Sequence, residues 1–158
     1  MKISNRLRLI SDLVTGGYVI ADIGTDHGYV PITLLREEKI EKAIAVDLSM
    51  PSLEKARQNA AKAKVEDKID FRCADGLQAL EPGEADTIII SGMGGILSVN
   101  ILEARKDVSL TAKEIILSPH RDHELARCFL LDYGFKIVYD DQIIDKNKKY
   151  HIIKGIKM

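Results

Sequence analysis

The sequence predicts an α/β domain whose mostly parallel sheet ends in an antiparallel hairpin. Two patterns support this fold class. Short apolar runs alternate with segments of helical spacing through most of the chain, as in a sheet whose strands are joined by covering helices. The final segment instead alternates apolar and polar residues on both sides of a short polar turn, which is typical of a hairpin. Five strands in the body and two in the hairpin give a seven-stranded sheet.

The five strands of the body are apolar runs that end in polar or glycine residues. Such runs indicate parallel strands that are buried on both faces. These strands are predicted at residues 18–23, 43–47, 69–74, 86–91 and 114–117. The hairpin strands are predicted at residues 135–140 and 149–156, with the turn at residues 145–148. Parallel strands place their carboxyl ends at one edge of the sheet, where ligands of such folds bind.

The helices are predicted from apolar spacing and from their end signals. The first covers residues 3–14 and has Ser4 as a plausible N-cap. Pro51 suits the first turn of a helix, and Gly134 suits the position just after a helix end. The other three helices are predicted at residues 29–37, 51–64 and 124–133.

The composition indicates one globular domain that spans residues 1–158. With 46% hydrophobic and 30% charged residues, a chain of this length can bury a core without disulfides. No apolar run approaches the roughly 18 residues of a membrane span, and the N-terminus lacks the apolar core of a signal peptide. Cys73 and Cys128 do not have metal-ligand spacing. We therefore expect a cytoplasmic protein with no metal and no membrane partner.

The turn between the first strand and the second helix carries the most specific signal. Asp22, Gly24 and Gly28 follow the pattern acid, x, Gly, x, x, x, Gly. This pattern resembles the first motif of the class I methyltransferases, which bind S-adenosylmethionine (SAM). A dinucleotide-binding turn has glycine where this chain has Asp26, and an acid there would repel a pyrophosphate. Asp47, which ends the second strand, can accept hydrogen bonds from ribose hydroxyls. An ordinary glycine-containing turn in a nucleotide-binding fold is the alternative.

Three further strand ends carry candidates for the same site. Asp75 and Gly76 follow the third strand, where a carboxylate can accept a hydrogen bond from an adenine amino group. The fourth strand ends in Ser91-Gly-Met-Gly-Gly95, whose glycines permit a close approach of backbone to a methyl donor or a substrate. His120 follows the fifth strand. Each acid alone could instead be a helix cap or a turn residue.

Together these motifs resemble the TrmK-type tRNA methyltransferases, a family that methylates N1 of the adenine at position 22 of bacterial tRNA with SAM as donor. The resemblance rests on residues 22–31, residues 92–95, Asp145 and Lys149-Tyr150, and it covers residues 4–156. It implies a Rossmann-like class I methyltransferase fold. The SAM-binding residues that it implies, together with the strand-end argument, are Asp22, Gly24, Asp26, His27, Gly28, Asp47, Asp75, Gly76, Gly92, Met93 and Gly94.

Two features depart from the family pattern. Family members usually carry a further C-terminal helical domain, whereas this sequence stops at Met158. They also tend to have Gln-Pro-Asn after the fifth strand, where this chain has Ser118-Pro119-His120. The first departure affects the expected binding of tRNA, and the second affects the expected substrate pocket.

Methyl transfer to adenine N1 depends mainly on alignment, because N1 already has a lone pair. We therefore assign no general base. The candidates for a role at the reacting base are Asp26, Tyr29 and His120. Tyr29 could stack on a base that has left the tRNA helix, or it could belong to the core of its own helix.

The net charge of −1 gives no basic excess of the kind seen in many nucleic-acid-binding proteins. The cations nevertheless cluster near both ends of the chain. The candidate phosphate contacts for a tRNA partner are Lys2, Arg6, Arg8, Lys146, Lys148 and Lys149. Two other functions stay open, namely methylation of a small molecule and non-catalytic binding of SAM or another nucleotide.

Overall fold

The computed structural model describes residues 2–158, which form seven strands and six α-helices. In chain order the strands are β1 (Ile20–Ile23), β2 (Ala43–Asp47), β3 (Ile69–Cys73), β4 (Thr87–Ser91), β5 (Glu114–Ser118), β6 (Phe135–Asp145) and β7 (Lys148–Lys157). The helices are α1 (Asn5–Leu13), α2 (Tyr29–Arg36), α3 (Met50–Lys62), α4 (Gly95–Ala104), α5 (Lys106–Ser109) and α6 (His123–Asp132). Within residues 2–158, no helix has the length and apolar character needed to cross a membrane.

All seven strands form one sheet in the order β3-β2-β1-β4-β5-β7-β6. Strands β1 to β5 pair in parallel, whereas β7 runs antiparallel to both β5 and β6. The predicted fold class, a mostly parallel sheet with a C-terminal hairpin, is confirmed. The strand order reverses between β1 and β4, which creates the crevice where such sheets bind ligands.

Helices cover both faces of the sheet. Ile10 of α1 and Leu34 of α2 pack with Ile89 on one face, whereas Leu102 of α4 packs with Ile88 on the other. Successive side chains of a strand point to opposite faces. A strand covered on both sides must therefore be apolar at every position, as the run 88–90 is.

Serine side chains cap the starts of α1 and α3, and the cap at Ser4 agrees with the prediction. The Ser4 hydroxyl accepts a hydrogen bond from the backbone N–H of Leu7 at 3.3 Å. The Ser49 hydroxyl does the same for Ser52 at 3.2 Å, with Pro51 in the first turn of α3. These bonds satisfy N–H groups that have no partner inside the helix.

A buried carboxylate anchors the C-terminal end of α1 to the sheet. Glu114, at the start of β5, is 1% exposed. It accepts hydrogen bonds from the N–H and hydroxyl of Thr15, at 2.9 and 2.6 Å, and from the Thr87 hydroxyl at 2.8 Å. Its ion-pair partner Lys154, at 3.2 Å, also donates to the carbonyl of Leu13. These contacts fix α1 across the sheet and thereby set the position of its first turn.

The start of β1 differs from the prediction. The sequence predicts a strand from residue 18, but β1 begins at Ile20. The carbonyl of Val19 accepts from the N–H groups of both Asp86 and Thr87, at 2.8 and 3.1 Å. This shared acceptor interrupts regular ladder pairing before Ile20.

The C-terminal hairpin is longer than the sequence predicts. β6 continues from residue 140 to Asp145, because Asp141 and Gln142 pair with β7 although they break the apolar alternation. The two-residue turn consists of Lys146 and Asn147, with φ of 51° and 63°, which matches the twist of antiparallel strands. β5 pairs only with residues 153–156 of β7. The rest of the hairpin therefore extends beyond the carboxyl edge of the parallel strands.

Candidate active site

A cavity of about 340 Å³ lies at the carboxyl ends of β1, β2 and β4. Part of its wall comes from residues for which the sequence predicts SAM binding, namely Asp22, Gly24, Asp26, His27, Asp47, Gly92 and Met93. The cavity therefore forms where the strand order predicts a binding crevice. The other predicted residues, Gly28, Asp75, Gly76 and Gly94, lie outside its wall.

The loop after β1 is held against the end of β2. The N–H groups of Gly24 and Thr25 both donate to the carbonyl of Val46 at 2.9 Å. Gly24 has φ of +72°, and a Cβ at this position would lie 2.6 Å from the terminal methyl group of Met93. Glycine is therefore favoured by the left-handed backbone, whereas the flexible Met93 side chain could move away from an added Cβ.

Asp47 connects this loop to the start of α3. One carboxylate oxygen accepts the N–H of Asp26 and the other accepts the N–H of Ser49, both at 2.9 Å. A carboxylate oxygen has two lone pairs. Both oxygens of Asp47 can thus accept a further hydrogen bond from a ligand that enters the cavity, and a pair of adjacent hydroxyls would match them.

Asp22 is a buried acid with an unused oxygen. Its side chain lines the cavity although the residue is only 2% exposed. The hydroxyl of Thr25 donates to Oδ2 at 2.9 Å, whereas Oδ1 has no hydrogen-bond partner within residues 2–158. Burial raises the pKa of Asp22 to about 7, against the lowering effect of the Thr25 hydrogen bond. Because buried polar groups are nearly always paired, this oxygen is available to a hydrogen-bond donor that enters the cavity.

The raised pKa of Asp22 predicts a pH dependence of stability. The unfolded chain ionises Asp22 near the ordinary pKa of 3.8, but the folded protein retains the proton until about pH 7. The free energy of unfolding should therefore fall between about pH 4 and 7, by roughly 3–5 kcal/mol in total. Asp22→Asn, which cannot titrate, should lack this decline. Urea unfolding of both proteins at pH 4, 5.5, 7 and 8 measures the difference, and parallel curves would contradict the assignment.

The β4 and β5 loops meet beside the cavity. The N–H of Gly95 donates to the carbonyl of Arg121 at 2.9 Å. A Cβ on Gly95 would lie only 1.9 Å from the carbonyl oxygen of Asp122. The last glycine of the Ser91–Gly95 segment therefore joins two loops, a role that the sequence alone did not reveal.

His120 lies next to the cavity rather than in its wall. It borders a separate cavity of about 190 Å³ together with Gln142 and Tyr150, and its ring meets the Tyr150 ring edge-on at 6.3 Å. Desolvation, supported by the positive charges of Lys148 and Arg121, lowers the pKa of His120. The imidazole is therefore neutral at neutral pH.

Tyr29 stands between two cavities and not in the helix core. Its ring borders the 340 Å³ cavity and also a neighbouring groove of about 440 Å³ between α2 and α3. The ring of His27 meets it edge-on at 5.9 Å. The side chain of Asp26 is 71% exposed and lies 3.6 Å from His27. Tyr29 is half-buried, and part of its side chain is accessible from these cavities.

Arg6 lies in the wall of the cavity, although the sequence suggested a surface phosphate contact. Its side chain is 14% exposed and its guanidinium lies 4.3 Å from the centre of the Tyr150 ring. Arg8, two residues later, instead forms exposed ion pairs with Asp12 and Glu37. Local spacing could not separate these two arginines, because the difference depends on how the C-terminal hairpin packs against α1.

Two exposed apolar side chains near the site were not predicted from the sequence. Leu48, directly after Asp47, is 68% exposed, and Met50 is 59% exposed. Their position beside the carboxyl end of β2 provides an apolar surface next to the carboxylate. A signal was present in the sequence, because apolar residues immediately after a strand-ending acid are unusual for a turn.

Two of the predicted glycines have a packing role that the structure explains. A Cβ on Gly28 would lie 3.1 Å from that of Ala56 in α3, and one on Gly76 would lie 3.1 Å from Ile101 in α4. Both glycines also have positive φ. Their roles toward a cofactor stay predictions, as does that of the exposed Asp75.

The sheet order and the position of the cavity define a methyltransferase domain, and comparison with known proteins agrees. Residues 3–153 match the family described as a methyltransferase domain. The chain is 36% identical over 150 residues to the tRNA (adenine(22)-N(1))-methyltransferase of Bacillus subtilis, covering 94% of this chain and 62% of that protein.

Two solved structures extend the comparison. The B. subtilis M1A22 tRNA methyltransferase TrmK superposes with a TM-score of 0.91 at 30% identity, covering 99% of this chain and 67% of that chain. A candidate tRNA (m1A22) methyltransferase of Streptococcus pneumoniae was solved with S-adenosyl-L-methionine. It superposes with a TM-score of 0.92 at 33% identity, covering 99% of this chain and 75% of that chain. The chain therefore belongs to the methyltransferase domain family, in its TrmK-type group. It spans 62% of the length of the curated B. subtilis relative.

Proposed function

We propose that residues 1–158 act as one SAM-dependent methyltransferase domain that methylates N1 of adenine 22 in tRNA. The observation that carries this proposal is the cavity at the ends of β1, β2 and β4, which combines a carboxylate for ribose with an unpaired buried acid for an ammonium group. The B. subtilis M1A22 enzyme shares the fold over 99% of this chain, which supports the choice of substrate. A cytoplasmic location suits an enzyme that acts on tRNA.

The residues of the cavity fit SAM better than a dinucleotide. Asp47 can accept hydrogen bonds from both ribose hydroxyls. The free Oδ1 of Asp22 can accept a hydrogen bond from the ammonium group of the methionine part. Leu48 offers an apolar surface for adenine, with Asp75 as the acceptor for the adenine amino group. Asp26 stands where a pyrophosphate would approach the loop, and its charge disfavours NAD.

Bound SAM supplies an activated methyl group on a sulfonium sulfur. The task of the protein is to align N1 of the base with that group and to exclude water. We assign to Tyr29, which borders the cavity, the role of stacking on an extruded adenine. The product base carries a positive charge, which the neutral His120 does not repel and which the carboxylate of Asp26 favours.

Basic side chains flank this site on two sides. Lys146, Lys148 and Lys149 are exposed at the tip of the hairpin, and Lys2 is exposed at the opposite end of the chain. On the other side of Tyr29, the 440 Å³ groove is lined by Arg36, Lys62 and Lys64. These cations could contact tRNA phosphates. Arg8 would have to exchange its two carboxylate partners for a phosphate, and Arg6 is largely buried.

The proposal predicts that the protein forms N1-methyladenine in an unmodified tRNA transcript when SAM is present. Mass spectrometry of the digested nucleosides detects the product, and omission of SAM provides the control. Transfer of the methyl group to small molecules of a cell extract, but not to tRNA, would favour a small-molecule methyltransferase. Tight SAM binding without transfer to either substrate would favour a non-catalytic module.

A further inference from the structure

Beside the 340 Å³ cavity lies a smaller one of about 190 Å³, the histidine pocket, whose wall includes His120, His123, Tyr150 and His151. Three of the four histidines of the chain therefore meet here. The N–H of His151 donates to the carbonyl of Pro119 at 2.9 Å, beyond the last ladder pair of β5 and β7. This bond holds the loop after β5 against β7, so the pocket has a fixed wall.

One aromatic ring separates the histidine pocket from the larger cavity. Tyr150 borders the pocket. Arg6, in the wall of the larger cavity, has its guanidinium 4.3 Å from the centre of the Tyr150 ring. A base that receives a methyl group in the larger cavity would therefore have the histidine pocket as its neighbour. The nucleotide next to that base in the RNA chain is the group within reach.

Hydrogen bonds to the Nε2 atoms of two rings determine where their protons lie. Nε2 of His120 accepts from Nε of Arg121 at 3.2 Å, so the proton of this neutral ring lies on Nδ1. Nε2 of His151 faces Asp140. Arg127 donates to that carboxylate and holds the pKa of Asp140 below its usual value, with a smaller contribution from His151. The ionised carboxylate accepts from Nε2, and the neutral His151 ring keeps a lone pair on Nδ1.

The two Nδ1 atoms are unused. Both are buried and have no hydrogen-bond partner in the part of the chain that the structure describes. His120 thus offers a donor, and His151 an acceptor, to a group that enters the pocket they line. The pairing edge of every nucleobase presents a donor next to an acceptor, which matches this pair. A phosphodiester has only acceptors, and it would meet the lone pair of His151 with the ionised Asp140 behind it.

The walls of the pocket suit a flat aromatic group. The rings of His123 and His151 stack in parallel, with centroids 4.1 Å apart and 5° between their planes. The Tyr150 ring meets His120 edge-on at 6.3 Å. Proteins bind single-stranded RNA by placing bases against such rings. Lys149 is exposed in the same wall, where its charge suits the phosphate attached to a bound nucleoside.

We infer that the histidine pocket binds the pairing edge of an unpaired tRNA base next to the methylated adenine. This inference rests on the proposed function, because it names a second contact of the same substrate. The extrusion of an adenine disturbs the pairing and stacking of its neighbours. A protein that captures the edge of one neighbour stabilises the opened RNA and lowers the cost of extrusion.

The test compares uridine with N3-methyluridine, in which a methyl group replaces the donor proton of the pairing edge. S-adenosylhomocysteine, the demethylated product of SAM, is added in excess to fill the larger cavity. ¹⁵N NMR of histidine-labelled protein then follows the ring nitrogens. Uridine should shift the Nδ1 signals of His120 and His151 saturably, because its N3–H donates to His151 and a carbonyl accepts from His120. N3-methyluridine should bind at least roughly tenfold more weakly.

His151→Phe keeps a flat ring and removes the acceptor. Its affinity for uridine should fall to that of N3-methyluridine. Its KM for tRNA should rise by roughly tenfold, whereas its affinity for S-adenosylhomocysteine should stay within about twofold. His151→Asn places an amide oxygen near the position of Nδ1 and should restore part of the preference for uridine. His120→Phe, which removes the donor, is the second variant if His151→Phe does not fold, as checked by circular dichroism.

The outcomes separate this inference from the proposed function. Equal binding of the two nucleosides, or no shift of either Nδ1 signal, would show that the pocket does not bind a pairing edge. Methylation of tRNA by the wild-type protein would then leave the function in place. Shifts caused by inorganic phosphate but not by uridine would overturn the inference in favour of an anion site. Selective uridine binding without methylation of tRNA would leave a nucleobase pocket but remove both the proposed function and the assignment to tRNA.

Discussion

Replacing Gly95 with alanine is expected to destabilise the protein by about 3 kcal/mol. The added Cβ would lie 1.9 Å from the carbonyl oxygen of Asp122 and 2.6 Å from its carbonyl carbon. Both are backbone atoms, so no side-chain rotation relieves the clash. The contact between the β4 and β5 loops would have to open, and the hydrogen bond from Gly95 to Arg121 would be lost.

Gly94→Ala is the matched control for Gly95→Ala. Its Cβ would meet only the Cγ and Cδ of Arg121, at 3.2 and 3.6 Å, and this exposed side chain can move. The backbone of Gly94 has an extended conformation that alanine adopts freely, with φ of −64° and ψ of 165°. Thermal unfolding should show a decrease of roughly 6–12 °C for Gly95→Ala and little change for Gly94→Ala. Equal unfolding temperatures for the two variants would show that the contact between the β4 and β5 loops contributes little to stability.

Replacing Asp47 with alanine is expected to weaken SAM binding by ~1–3 kcal/mol, or roughly 5- to 150-fold. Two effects combine in this result. The variant loses the carboxylate proposed to accept the ribose hydroxyls, and it leaves the N–H groups of Asp26 and Ser49 without their acceptors. The substitution therefore removes one carboxylate that both orders the loop after β1 and is proposed to bind the ligand.

Calorimetric titration with SAM measures the effect of Asp47→Ala. Asp67→Ala is the control, because Asp67 is an exposed acid of the short 3₁₀ helix Glu66–Lys68, outside the wall of the cavity. The control should bind SAM as the wild-type protein does. Unchanged affinity in a folded Asp47→Ala protein would contradict the ribose assignment.

The strands were predictable from the sequence because a sheet covered on both faces leaves a strong signal. Every position of residues 88–90 is buried, so the run is apolar without interruption. The polar residues that end these runs then indicated one edge of the sheet, and the cavity lies there. The TrmK-type group was identified from the same motifs.

The sequence could not show contacts between distant segments. Asp141 and Gln142 break the apolar alternation, and only their pairing with β7 keeps them in a strand. The position of Arg6 depends on Tyr150, which lies far away in the chain. The Gly95 contact depends on a left-handed residue, Asp122, which precedes α6. Contacts of this kind can be identified only once the three-dimensional structure is known.

The most direct test of the proposed activity maps the methyl group on tRNA. A methyl group at N1 blocks the pairing edge of adenine, so reverse transcription stops next to the modified base. After incubation with the protein and SAM, a transcript with adenine 22 should give a SAM-dependent stop at that position, and a transcript with guanine 22 should give none. Stops at other adenines with none at position 22, or methyl transfer that persists with guanine 22, would contradict the proposed function.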